Sequence, residues 1–331
     1  MDQRGSVRKS RWAWTIVQVV GVVATAVLIA GLIRRPEPYL ALLWKVLIPL
    51  VPAVLLISPL LWRNVCPLAT LEMTAGNLMG DRPPARRWAT QGVAAGIVLL
   101  AILVPARHVI FNTHGPVLAI TIAAVAAVAI GGGVAFDAKG GFCNAICPVL
   151  PVERLYGQNP LVEVGNPRCP TCSACAPSCI DLGPRSASLR ALGGARRRAA
   201  WTRTPYGAFA AAFPGFVLGY FTTVDGSVAT APWMYAQIAA WSGISWIVTA
   251  GAVASWQVAP ERALPVLAAL AAGTYYVFAA PQMAAAVGLQ DGGSILRAVF
   301  LTLVAVWWWR AERRRRVTAR ARPTGQGLRA A

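Results

Sequence analysis

Acidic residues and histidine are scarce in this chain. Its 331 residues include 12 Asp and Glu against 31 Lys and Arg, and two histidines. Charged residues make up 13% of the total, well under the roughly one quarter of a soluble domain. No nucleophile–base pair, phosphate-cradling glycine loop or pair of catalytic carboxylates is visible, so hydrolysis and phosphoryl transfer are disfavoured. What replaces charge is hydrocarbon: 56% of the residues are hydrophobic. That composition marks a multi-spanning membrane protein. The formal charge of +19 would suggest nucleic acid in a soluble chain, but here the basic residues punctuate apolar runs instead of forming one continuous face. No nucleic-acid partner is expected.

The apolar runs fall at about 12–33, 39–61, 88–106, 116–135, 205–224, 232–256, 263–287 and 294–309, each near the ~20 residues a helix needs to cross a bilayer. The expected fold is therefore an all-α integral membrane protein of about eight transmembrane helices. The first run is longer than a signal-peptide core and ends in Leu32-Ile33-Arg34-Arg35 without a small-residue cleavage pattern, so a cleaved leader is not expected. Placing both termini in the cytoplasm puts 26 of the 31 Lys and Arg residues on that side, as the positive-inside rule requires of a cytoplasmic (inner) membrane protein. Four segments follow: a four-span core over 1–135, a cytoplasmic loop and basic linker over 136–204, a second four-span bundle over 205–310 and a basic tail over 311–331.

Cysteine occurs seven times, and this topology places each one in or beside a cytoplasmic loop, where structural disulfides are rare. Cys169, Cys172, Cys175 and Cys179 form C-x2-C-x2-C-x3-C in the stretch RCPTCSACAPSCI, a spacing that lets successive thiolates curl round one inorganic core and that matches bacterial-type iron–sulfur runs. A disulfide knot or a zinc knuckle is the bland alternative. Zinc ordinarily takes two separated pairs of ligands. Cys143 and Cys147 form C-x3-C-P with Pro148, and in a helix two thiols four apart share a face. Trp62-Arg63-Asn64-Val65-Cys66-Pro67 repeats that motif after span two, with Trp62 where the first cysteine would stand. The two span-pair-then-Cys-Pro units suggest an internal repeat of about 80 residues.

A four-span core with Cys-Pro motifs after its second and fourth helices, followed by a cytoplasmic ferredoxin-type cysteine run, resembles the membrane polyferredoxins of the NapH/NosR/CcoG type. The resemblance covers about residues 12–182. It implies [4Fe–4S] clusters and electron transfer between the quinone pool and redox partners or, in one branch, metal reduction linked to oxidase assembly. Residue by residue, Cys143, Cys147 and Pro148 match the second motif, Cys66 and Pro67 half of the first, and Cys169, Cys172, Cys175 and Cys179 one ferredoxin-type run. The chain departs from the pattern at Trp62, in having a single run, at Ile180 where a proline is usual, and in four additional spans.

In two-cluster ferredoxins the first three cysteines of a run hold one cluster and the fourth reaches another. Cys66, Cys143 and Cys147 are then the natural complement of the run, and seven thiols leave two arrangements open. Two clusters would share one non-cysteine ligand or open iron site; a single cluster would leave some Cys-Pro thiols free. The expected function is single-electron transfer between a cytoplasmic carrier and the quinone pool or a membrane redox enzyme, with quinone a further candidate cofactor. If the protein is an enzyme, it is an oxidoreductase or a subunit of one. A metal-handling or metal-reducing assembly factor, and a transporter-like module with a structural or sensing cluster, are the alternatives.

Other candidates are weaker. Arg185, Arg190, Arg196, Arg197, Arg198 and Arg203 serve inside retention and anionic lipid contact, or dock an acidic carrier. His108 and His114 flank the outer turn between spans three and four and read as interfacial polar residues, with a proton acceptor for quinol as the functional option. Pro49, Pro52 and Pro59 predict a broken second span. Trp307-Trp308-Trp309 reads as an interfacial anchor.

Overall fold

The structure is a computed structural model that describes residues 3–80, 82–136, 139–164, 179–193 and 199–320. It is helical throughout, with no strand among the described residues, and the expectation of an all-α membrane protein holds. Among the described residues, seven segments are long and apolar enough to span a bilayer: 12–34, 36–57, 91–111, 115–135, 228–256, 260–286 and 293–317.

The first span lies within α1 (Gln3–Arg34). The second is broken as its prolines predict, into α2 (Pro36–Leu42), a π-helical turn at Leu43–Leu47, and α3 (Ile48–Ile57). Ser58, extended at φ −163° and ψ 113°, separates α3 from α4 (Pro59–Val65). A residue before proline is pushed out of the helical region, and that restriction accounts for the break. Next come α5 (Pro67–Met79), α6 (Arg86–Leu103), a second π-helical turn at Arg107–Phe111 and α7 (Gly115–Ala135). A third π-helical turn, Phe142–Ile146, leads to α8 (Leu150–Tyr156) and α9 (Pro184–Ala191). The chain closes with α10 (Pro205–Thr222), α11 (Ala231–Trp256), α12 (Pro260–Ala286) and α13 (Gly293–Arg320).

The eighth expected span, 205–224, corresponds to α10, which is not among the seven apolar spans. Its 18 residues would extend about 27 Å, but the helix faces protein more than lipid. Ten of its residues, from Tyr206 to Tyr220, are buried. Small residues let backbones approach closely between membrane helices: a Cβ on Gly215 would stand 2.1 Å from the Trp241 carbonyl oxygen of α11. Interior glycines, tyrosines and prolines lower its hydropathy because lipid is not its solvent.

The two halves share one core. Leu55 and Leu56 of α3, Leu100 of α6 and Tyr156 of α8 pack in the same cluster as Phe213 of α10, Leu264 of α12 and Trp307 of α13. Trp307 is fully buried there, so only Trp308 and Trp309 of the expected aromatic anchor face outward. The Tyr276 hydroxyl of α12 donates to the Pro49 carbonyl at 3.0 Å, tying the second half to the broken second span.

Candidate functional site: two interlocked Cys-Pro turns

The two Cys-Pro turns share one backbone form. Cys66 sits at φ −61°, ψ 122° and opens α5; Cys147 sits at φ −57°, ψ 124° and closes the third π-helical turn. The following proline imposes this extended geometry, and Pro67 is well suited to a first helical position. The internal repeat read from the sequence is therefore real at the level of local structure. It also extends further than the motif, because a glutamate lies six residues beyond each cysteine, Glu72 and Glu153.

Each turn is held by groups of the other. Both oxygens of Glu72, in α5, accept backbone N–H bonds from the second turn: Phe142 at 2.7 Å and Cys143 at 2.9 Å. These amides belong to the first turn of a helix and have no intrahelical partner of their own. In the opposite direction Glu153, in α8, accepts from the Arg63 Nη1 of the first turn at 2.8 Å. The Arg63 Nη2 donates to Asn144 Oδ1 at 2.6 Å, across 81 residues of sequence. Arg63 and Asn144 hold equivalent positions, three residues before Cys66 and Cys147. The turns thus clasp each other reciprocally, Glu72 through backbone amides and Glu153 through the Arg63 side chain.

The same arginine reaches the end of the ferredoxin-type run. Arg63 Nε donates to Asp181 Oδ1 at 2.7 Å, and the Lys139 ammonium approaches Asp181 Oδ2 at 3.4 Å. Asp181 follows Cys179 by two residues, so this pair fixes the last cysteine of the run against the membrane core. Arg63, Glu72, Lys139, Glu153 and Arg154 are each less than 5% exposed. Three of the chain's 12 acidic residues are thereby spent inside one network. Burial works to discharge Arg63, but Asp181 and Glu153 keep its pKa well above the ordinary value. Burial likewise works to raise the Asp181 carboxyl, and Arg63 with Lys139 outweighs it and holds the group below the usual range.

Of the seven expected ligands, Cys66, Cys143, Cys147 and Cys179 are described, and none of the four is in a disulfide. Cys143, Cys147 and Cys179 are buried and Cys66 is half-buried. Cys66, Cys143 and Cys147 share an apolar cluster with Leu60, Phe142 and Ile180, the residue next to Cys179. Burial pushes the thiols of Cys66, Cys143 and Cys147 up, the Glu72 charge adds to this at Cys143, and that of Glu153 adds at Cys147. A metal centre would reverse this, since ligation deprotonates a thiol outright. Cys169, Cys172 and Cys175 lie outside the described residues. Among the described residues no group of three or more His, Cys, Asp or Glu side chains is placed to hold a single metal ion. The donor set nevertheless suits a thiolate-held iron–sulfur cluster in its chemistry: three buried sulfurs and one half-buried, none in a disulfide, with fixed cations alongside.

Trp62, at the position of the absent cysteine, points elsewhere. It packs against the large core shared by both halves and not against the cysteine cluster. The first turn contributes Cys66 and the Arg63 cation, and its other cysteine position belongs to core packing. The glutamates at the sixth position after each cysteine were the available sequence signal for this network. Arg63 and Asp181 carried no local signal, because their partners lie far away in the chain.

The predicted histidines separate. His114 is exposed and contacts the Thr113 hydroxyl at 2.8 Å, in keeping with an interfacial residue. His108 is 9% exposed and pairs through Nδ1 with Asp225. Arg185 forms an exposed pair with Glu163, and Arg196, Arg197 and Arg198 lie outside the described residues.

No family model, curated protein or solved structure matches the chain.

Proposed function

We propose that this protein is a membrane-bound [4Fe–4S] electron-transfer protein that passes single electrons between a cytoplasmic carrier and the quinone pool or a membrane oxidoreductase. The observation that carries the proposal is the clasp of the two Cys-Pro turns around Arg63, with Cys179 tethered to the same arginine through Asp181. Four thiolates are what one cluster needs, and Cys66, Cys143, Cys147 and Cys179 are gathered at one end of the bundle. Cys169, Cys172 and Cys175 then remain for a second cluster whose fourth iron ligand is not a cysteine. When bound, a cluster supplies the electron-carrying chemistry; the chain supplies thiolates, burial and fixed charge that set its potential. The distribution of Lys and Arg supports a cytoplasmic membrane location with both termini and all seven cysteines on the cytoplasmic side.

The test is anaerobic purification followed by iron and acid-labile sulfide analysis and EPR. About four or eight irons with matching sulfide and a reducible signal are expected. Stoichiometric copper or zinc without sulfide would overturn the reading in favour of a metal-handling factor. Cys172→Ser should remove one signal, and Cys66→Ser or Cys147→Ser should remove the other while leaving the first. Reduction of the purified protein by a quinol in membranes then distinguishes electron transfer from an assembly role.

A further inference from the structure

The end of the bundle opposite the cysteines carries a second cluster of polar groups. It is built on the π-helical turn Arg107–Phe111, just before α7, and π-helical turns often mark functional positions. His108 Nδ1 pairs with Asp225 in the loop after α10, and Asp225 Oδ2 also accepts from Asn112 Nδ2 at 2.6 Å. Asp225 itself is 57% exposed, so the outer side of this pair meets water. The inner side does not: His108 Nε2 is buried and has no hydrogen-bond partner.

That nitrogen has a defined chemical character. The Asp225 carboxylate can only accept, so Nδ1 carries the proton, and a neutral imidazole then presents Nε2 as a bare acceptor. An unpaired acceptor held away from water costs free energy until a donor reaches it. The neighbouring cation is already engaged. Arg107 is committed to the Tyr220 hydroxyl at 2.5 Å and Asn112 Oδ1 at 2.9 Å, and lies 5.1 Å from the centre of the Trp44 ring. The Tyr220 ring packs on His108 at 4.5 Å. Aromatic faces and a missing donor call for a planar ligand with a ring hydroxyl.

An apolar approach lies nearby. A groove of about 360 Å³ runs between α6, α10 and α11, lined by residues that include Leu100, Phe213, Phe216 and Trp246. Phe216 and Tyr220 are one turn apart on α10, which places them on the same face. The neighbouring Val98, Ile244 and Ile247 are exposed, so this side of the bundle faces hydrocarbon.

We infer that His108, fixed by Asp225, accepts a hydrogen bond from the ring hydroxyl of a membrane-soluble hydroquinone whose apolar tail occupies the α6–α10–α11 groove. This deepens the quinone side of the proposed function but stands on the His108–Asp225 pair whether or not the thiols hold a cluster.

The probe is a decyl-substituted benzohydroquinone, compared with its dimethyl ether, in equilibrium binding to the full-length protein in nanodiscs. The unaltered protein should bind the hydroquinone about 3- to 10-fold more tightly, the value of one hydrogen bond. His108→Phe should erase the preference, and Asp225→Ala, at an exposed position, should reduce it by releasing the tautomer. Gly243→Trp fills the groove where an added Cβ meets nothing within 4 Å; it should weaken both probes alike and keep their ratio. Equal binding of the two probes by the unaltered protein, or a preference that survives both His108→Phe and Asp225→Ala, overturns the inference. Iron content measured on the same samples separates the two claims: iron without ring preference rejects only this site, and ring preference without iron rejects only the cluster.

Discussion

The two Cys-Pro turns are the same device carrying different cargo. Their cysteines share backbone angles within a few degrees, each is followed six residues later by a buried glutamate, and each glutamate serves the opposite turn. They differ at the first motif position, where the second turn has Cys143 and the first has Trp62, and one residue later, where Asn144 faces Arg63. The difference teaches that the first turn has no vacant place where the second has Cys143: Trp62 fills that position from the core side. Trp62 packs in the main core, and Arg63 is the common partner of Asn144, Glu153 and Asp181.

The strongest way to break the comparison is to remove that common partner. Arg63→Ala strands two buried carboxylates and should destabilise the protein by about 3–5 kcal/mol, seen as a large fall in thermal midpoint in detergent and loss of iron on purification. Arg63→Lys should recover only part, because an ammonium cannot reproduce the three-way fork. A smaller loss is expected from Trp62→Cys, which restores the motif on paper. It should cost about 2 kcal/mol from core packing and add no iron, since this position faces the core; a gain in iron per protein would show that the eighth ligand position is real.

The glutamates offer a finer cut. Glu153→Gln weakens a charged bond to Arg63 and should cost about 2 kcal/mol, whereas Glu72→Gln keeps one good amide acceptor for two backbone N–H groups and should cost about 1 kcal/mol. Denaturant unfolding of the pair checks the order. If Glu72→Gln proves the more damaging, the clasp is asymmetric in the other sense and the second turn depends on the first.

Much of this was legible in the chain before folding. The spans announced themselves by length and hydropathy, and the prolines of the second span predicted that it would be interrupted, as it is before Pro59, while Pro52 lies within α3. The exception, α10, reads in the sequence as one more span of about 20 apolar residues, although its glycines and tyrosines suit a helix surrounded by protein. The Cys-Pro motifs marked two turns that the structure brings together, with Cys66, Cys143 and Cys147 in one apolar cluster. The charged network was not legible, because Arg63 finds Glu153 and Asp181 across 90 and 118 residues, and nothing in local periodicity encodes such pairings. His108 shows the same limit: two histidines beside a turn look alike in sequence, and only burial and the approach of Asp225 distinguish them.

Local chemistry therefore determined the membrane architecture, the Cys-Pro turns and the candidate thiols, because hydropathy and the restriction before proline act over a few residues. Tertiary structure alone decided which turn holds which, that Trp62 belongs to the core, and that Arg63 joins both turns to Asp181. Those outcomes depend on desolvating charges in a shared interior, and a buried charge selects its partner by distance in space, which sequence separation does not specify.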